Sequence, residues 1–100
     1  MYITTLHGHV SKENRQTLEE SFAKKCKRPP EGLLQSFLIH DKLDKSDWQI
    51  ISVWRTEEAY LEAKKNGQAD TCDTLFFEAG SKAERRHYDV AERFLRVASE

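Results

Sequence analysis

Trp48-Gln49-Ile50-Ile51-Ser52-Val53-Trp54-Arg55-Thr56-Glu57-Glu58-Ala59-Tyr60 carries a β-strand directly into a helix. Its first half alternates around apolar and β-branched residues, which suits a strand. Trp48, Ile50 and Trp54 share one parity, and Ile51 and Val53 share the other. At Thr56 the pattern changes to a hydroxyl cap followed by two acids, placed where a helix N-terminus favours negative charge. Ala59, Tyr60 and Ala63 then supply an apolar side, and Asn66-Gly67 ends the helix. A strand with two apolar faces running into an amphipathic helix predicts a sheet layered against helices.

Working outward, Leu33-Leu34-Gln35-Ser36-Phe37-Leu38-Ile39-His40 is a second apolar strand. The polar segment Asp41 to Asp47 joins it to Trp48 as a hairpin with a long tip. By simple alternation Leu33, Phe37 and Ile39 face one way, and Leu34 and Leu38 the other. Before this hairpin, Tyr2 to Val10 is rich in β-branched and aromatic types and reads as the first strand. Ser11 offers a cap to a helix whose apolar stripe is Leu18, Phe22 and Cys26, and Pro29-Pro30 stops it. After Asp70, the spacing of Cys72, Leu75, Phe76 and Ala79 predicts a further helical piece closed by Gly80. His87 to Val97 is assigned as the last strand, with Tyr88, Val90 and Phe94 on one parity and a bulge or edge position at Glu92-Arg93.

The order βαββαβ predicts an α+β, ferredoxin-like domain spanning residues 1–100, an antiparallel sheet with both helices on one face. Both parities of the two central strands are apolar, so the face without helices would be left in water. A second copy packed sheet to sheet is the expected remedy, an isologous homodimer. A chain of this length buries only about two thirds of its unfolded surface, which adds to the need for a partner.

Composition narrows the function. The chain has 16 basic and 17 acidic residues, a net charge of −1, and offers no broad cationic field for nucleic acid. It contains neither an apolar run of membrane-spanning length nor an export signal, so no membrane partner is expected. The two cysteines, Cys26 and Cys72, are too few and too far apart for a disulfide framework or structural zinc site, and the expected location is cytoplasmic.

The block from Trp54 to Tyr60 has the pattern Trp, polar, Thr, two polar residues, Ala, aromatic. With the element order and Glu31-Gly32-Leu33, it resembles the antibiotic biosynthesis monooxygenase family over residues 2 to 97. These are dimeric α+β barrels that include quinol monooxygenases and haem-degrading enzymes. The resemblance implies a pocket between the sheet and the second helical region, fit for a flat aromatic. It further implies oxygen insertion into a quinol, phenol or polyketide-like substrate without flavin or metal, so no cofactor is expected. The haem-degrading branch uses an Asn, a Trp and an iron-ligating His at positions that fall near Leu6, Ala63 and Asp73. None matches, and residues 56 to 86 contain no His. Haem degradation and an iron ligand are therefore not expected.

His7 and His9, two apart on a strand, share a face where they could bind a metal or hold a base, but no third ligand lies nearby in the sequence. His7 or His40 is the expected protonation-setting group. Trp54, Tyr60, Cys72 and Phe76 are the expected substrate-binding walls, although aromatics at a sheet centre serve as core more often than as ligand platforms. Lys24-Lys25-Cys26-Lys27-Arg28 fits favourable charge placement at a helix C-terminus, and Arg85-Arg86-His87 is a short cation cluster that either attracts an anionic substrate or solvates a loop, the loop being the expected reading. The alternative to the monooxygenase is a non-catalytic ligand-binding or stress-response homodimer of the same fold.

Overall fold

Alternating burial along Tyr2–His9 sets the first strand, β1. Tyr2, Thr4, Leu6 and Gly8 point into the molecule, and Ile3, Thr5, His7 and His9 point away from it. The computed structural model describes residues 1–68, 76 and 82–96. After β1 a short 3₁₀ turn, Lys12–Asn14, precedes α1, Arg15–Lys25. Ser11 thus opens the 3₁₀ turn rather than the α-helix, and its hydroxyl accepts from Asn14 Nδ2 at 2.9 Å. The expected stripe on α1 is graded: Leu18 is buried, Phe22 half-buried and Cys26 exposed.

β2, Leu33–His40, and β3, Asp47–Trp54, form the expected hairpin. Its tip is held by carboxylates: Asp41 Oδ1 accepts from the Leu43 and Asp44 amides at 2.7 and 2.9 Å. Asp44 Oδ1 accepts from the Ser46 amide at 3.0 Å and from its hydroxyl at 2.6 Å. These bonds hold both carboxyls below the usual range. α2, Glu57–Lys65, begins as the sequence predicts, with the Ala59 amide donating to Thr56 Oγ1 at 3.0 Å. Gly67, at φ +76°, follows the helix end.

The sheet order is β2-β3-β1-β4, fully antiparallel, which is the α+β, ferredoxin-like arrangement. Two details differ from the sequence expectation. A β-bulge at Leu33/Gln35 shifts the register, so Leu33 opposes Trp54 and shares a face with Ser36 and Leu38 rather than with Phe37 and Ile39. The last strand, β4, is Glu84–Asp89 and lies earlier than expected. Its pairing with β1 ends at Tyr2↔Asp89. Val90 adds one bond to the Met1 carbonyl at 3.3 Å, so Glu92-Arg93 forms no bulge and Phe94 lies outside the sheet. Arg85, Arg86 and His87 belong to β4 and are not a loop.

On the helix-covered face the core falls into two clusters. Leu6, Val10, Leu18, Trp48, Ile50 and Phe76 form one, and Tyr2, Trp54, Tyr60 and Ala63 form the other. The opposite face carries Ile3, Phe37, Ile39, Ile51 and Tyr88 without a covering layer among the described residues. Among those residues no helix is long and apolar enough to cross a membrane.

Candidate functional site

Between the two core clusters a polar row crosses the sheet. Ser36 opposes Ser52 and Ser52 opposes Thr4, so three hydroxyls on adjacent strands line up on the helix-covered face. The row continues to His87 on β4, which opposes Thr4. In β3 the inward series is Trp48, Ile50, Ser52, Trp54, with a small hydroxyl where its neighbours are large and apolar. Small side chains in a layer of large ones leave space above them. A cavity of about 290 Å³ opens there.

The floor of the cavity is Thr4, Ser36 and Ser52, and Trp54 forms one wall. Its other described walls come from the end of α1 and the chain leading into β2, namely Phe22, Cys26, Pro29, Pro30 and Leu33. Leu34 and Gln35 of β2, Arg85 from β4, Lys25 and Gln68 are the remaining described lining residues. Ser36 and Ser52 hydroxyls are bonded at 3.1 Å, and Trp54 Nε1 donates to Thr4 Oγ1 at 3.2 Å. The floor is therefore ordered as well as polar. The charged groups among the described lining residues, Lys25 and Arg85, are both cationic. Partial burial of its sulfur pushes the Cys26 thiol up.

Gly32 shapes the entry to this wall. Its φ is +88°, and a Cβ added there would lie 2.6 Å from Ala59 Cβ on α2. Its carbonyl accepts from the Arg55 amide at 2.8 Å. The turn into β2 thus needs a residue without a side chain to close against α2.

The structure separates the expected site residues. Trp54 lines the cavity. Tyr60 is buried in an aromatic cluster beside it, with ring centroids 5.4 Å from Trp54, 5.7 Å from Tyr2 and 5.3 Å from His87. Phe76 is wholly buried in the other core cluster, and Cys72 lies outside the described residues. Neither expected base lines the cavity. His7 faces the other side of the sheet, where Nε2 donates to the Asp47 carboxylate and the ring meets His9 edge-on at 5.6 Å. His40 is exposed at the end of β2, donating from Nδ1 to the Asp41 carbonyl at 3.1 Å, with its ring 4.8 Å from Trp48. The physical reason is register. Odd-numbered β1 residues face away from the helices, and the tip begins where His40 ends its strand. Among the described residues no three His, Cys, Asp or Glu side chains gather into a metal site.

Residues that the sequence does not single out are Thr4, Ser36 and Ser52 at the cavity and Tyr2 beside it, whereas Arg85 at the cavity and His87 beside it belong to the cationic cluster read there as a loop. The Tyr2 hydroxyl and His87 Nδ1 are bonded at 3.0 Å. Burial, then the Glu57 carboxylate, Tyr60 and Asp89, push the Tyr2 phenol up, so it remains protonated. Ser52 was visible in the sequence as the break in an apolar series. The alignment of Ser36 with it was not, because the bulge resets the parity of β2.

Compared with solved structures, the chain is similar to a candidate antibiotic biosynthesis monooxygenase from Deinococcus radiodurans. The TM-score is 0.69 at 18% identity, covering 98% of this chain and 100% of that one. The fold is that of the antibiotic biosynthesis monooxygenases. A candidate monooxygenase of that name from Nitrosomonas europaea aligns with TM-score 0.74 and 12% identity over 92% of this chain and 100% of its own. SnoaB, a cofactor-independent oxygenase from Streptomyces nogalater, aligns with TM-score 0.70 and 16% identity over 95% and 98%. No protein-family profile and no curated protein sequence matches the chain. At these identities the likeness to the antibiotic biosynthesis monooxygenases concerns the fold, and the chemistry is argued from the cavity.

Proposed function

We propose that the cavity binds a small electron-rich aromatic, a quinol or phenol, and that the protein is a cofactor-independent monooxygenase. The observation that carries this reading is the lining itself: an aromatic wall, a floor of three hydroxyls and two cations with no carboxylate among the described residues. A phenol ionises more readily beside cations and hydroxyl donors, and its anion is the form that gives up electrons to dioxygen. With a hydroquinone the balance is one substrate and one dioxygen giving one hydroxyquinone and one water. One oxygen atom bonds to a ring carbon and the other leaves as water, with all four electrons drawn from the substrate. Arg85 and Lys25 hold the anion, Trp54 stacks on the ring, and the apolar walls Phe22 and Leu33 keep water from intermediates. The SnoaB fold, a cofactor-independent oxygenase, supports the same reading.

The test is oxygen uptake by the purified protein with a panel of quinols and phenols. Uptake above the uncatalysed rate is expected, and equality with that rate for every compound would refute the enzyme. No His or Tyr is among the described lining residues, which favours a second reading, a binding protein with the same cavity. Saturable binding without uptake would select it.

We also infer a homodimer formed through the uncovered sheet face. Phe37, Ile39 and Tyr88 are 47%, 43% and 45% exposed there, beside Ile3 and Ile51. A sheet-to-sheet pair buries all of them at once. Light scattering is expected to give twice the chain mass, and Phe37→Lys to shift it toward one. A native monomer at micromolar concentration would contradict the inference.

A further inference from the structure

The cavity has a neighbour of opposite chemistry. A second hollow of about 610 Å³ adjoins it, and the two share Lys25, Pro30 and Gln68 as a common border. The inner cavity is mainly apolar with a hydroxyl floor, whereas the outer one is lined by Lys24, Lys25, Lys27 and Arg28. No carboxylate is among the described residues of either lining. Helix charge placement accounts for Lys24 and Lys25 in the last turn of α1. Lys27 and Arg28 follow in the turn just past the Cys26 cap, and although that helix end favours cations, it does not require all four to line one hollow, as they do. In a chain of net charge −1, this concentration of cations beside an aromatic-sized cavity is a local feature.

We propose that the ligand is an aromatic with an acidic arm, its ring in the inner cavity and its carboxylate or phosphate on the Lys24, Lys27 and Arg28 shelf. The proposal rests on the cavity reading above and adds the substrate class. Pro30, whose ring fixes its backbone angle, stands on the border between the two hollows beside Lys25 and Gln68, so a ligand that fills one can reach the other across it. The ring supplies contact area and the arm supplies selection among aromatics by charge.

Calorimetric titration of the full chain with homogentisate, a hydroquinone with an acetate arm, its neutral methyl ester and hydroquinone monophosphate tests this. An acid is expected to bind about tenfold tighter than the ester, since each exposed ion pair contributes up to about fivefold. The tighter of carboxylate and phosphate identifies the arm. In the combined variant Lys24→Gln, Lys27→Gln, Arg28→Gln, the acid-to-ester ratio is expected to fall toward one. Raising the salt concentration should do the same to the native protein without any substitution. Equal affinity for acid and ester in the native protein, or a ratio unmoved by both salt and the variant, would overturn the acidic arm. Ester binding that Ser52→Leu abolishes would leave the cavity reading standing. Failure of every probe to bind would remove both.

Discussion

Replacing Gly32 by alanine tests the turn that closes the cavity wall. Two costs add. A side chain at φ +88° sits in the left-handed region, which costs about 1–2 kcal/mol. The new Cβ meets Ala59 Cβ at 2.6 Å, and since both neighbouring atoms are close to backbone, the overlap is relieved only by moving α2 or the turn. Overpacking of that kind costs about 1–3 kcal/mol. The sum is about 2–5 kcal/mol, and for a domain of this size each kcal/mol lowers Tm by about 4–8 °C. Gly67→Ala is the control: its φ is +76°, but a Cβ there meets nothing within 4 Å, so only the conformational cost remains. Thermal melts followed by circular dichroism are expected to drop by at least about 8 °C for Gly32→Ala, and by clearly less for Gly67→Ala. A Gly32→Ala drop no larger than that of Gly67→Ala would refute the argument that Gly32 is required by its approach to α2.

Thr4→Val keeps the shape of the floor but removes the acceptor of the Trp54 indole N–H, leaving a buried donor unpaired. A loss of about 1–3 kcal/mol in urea denaturation is expected, against almost none for an exposed threonine such as Thr17. Ser52→Leu fills the gap in the inward series and should abolish ligand binding in calorimetry, with Tm within about 5 °C of native because the space exists to receive it. The acid limb of stability follows from the hairpin tip. The folded-state pKa values of Asp41 and Asp44 are depressed, so their contribution is present above the unfolded value near 3.8 and is lost as pH falls through the folded value. Asp41→Asn should flatten the fall in Tm below about pH 4 and leave its shape near neutrality unchanged.

The sequence made some elements legible because one physical rule dominated each. Alternation alone placed Trp48, Ile50 and Trp54 on one face of β3, since both faces of a central strand are apolar and no bulge intervenes. Thr56 was readable as a cap because hydroxyl, spacing and acids agree. Leu33 was misplaced because a bulge is a property of pairing and not of residue type. Val90 to Phe94 imitates a strand, but a strand needs a partner, and pairing with β1 ends at Asp89 with one further bond from Val90. At the site, Trp54 was named through the Trp54 to Tyr60 block, and its parity sets it on the helix-covered face. His7 and His40 drew attention for their chemistry, and register sends one to the opposite face and the other to the tip. Thr4, Ser36 and Ser52 are individually ordinary. They become a site only when the sheet register sets them side by side.

The central claim is that this cavity inserts oxygen from dioxygen into an aromatic ring. Mass spectrometry of the product formed under isotopically labelled dioxygen tests it most directly, with Ser52→Leu as the blocked control. One labelled atom in the hydroxyquinone from the native protein, and none above background from the variant, is the predicted result. Product that is unlabelled, or formed equally by the blocked variant, would contradict it.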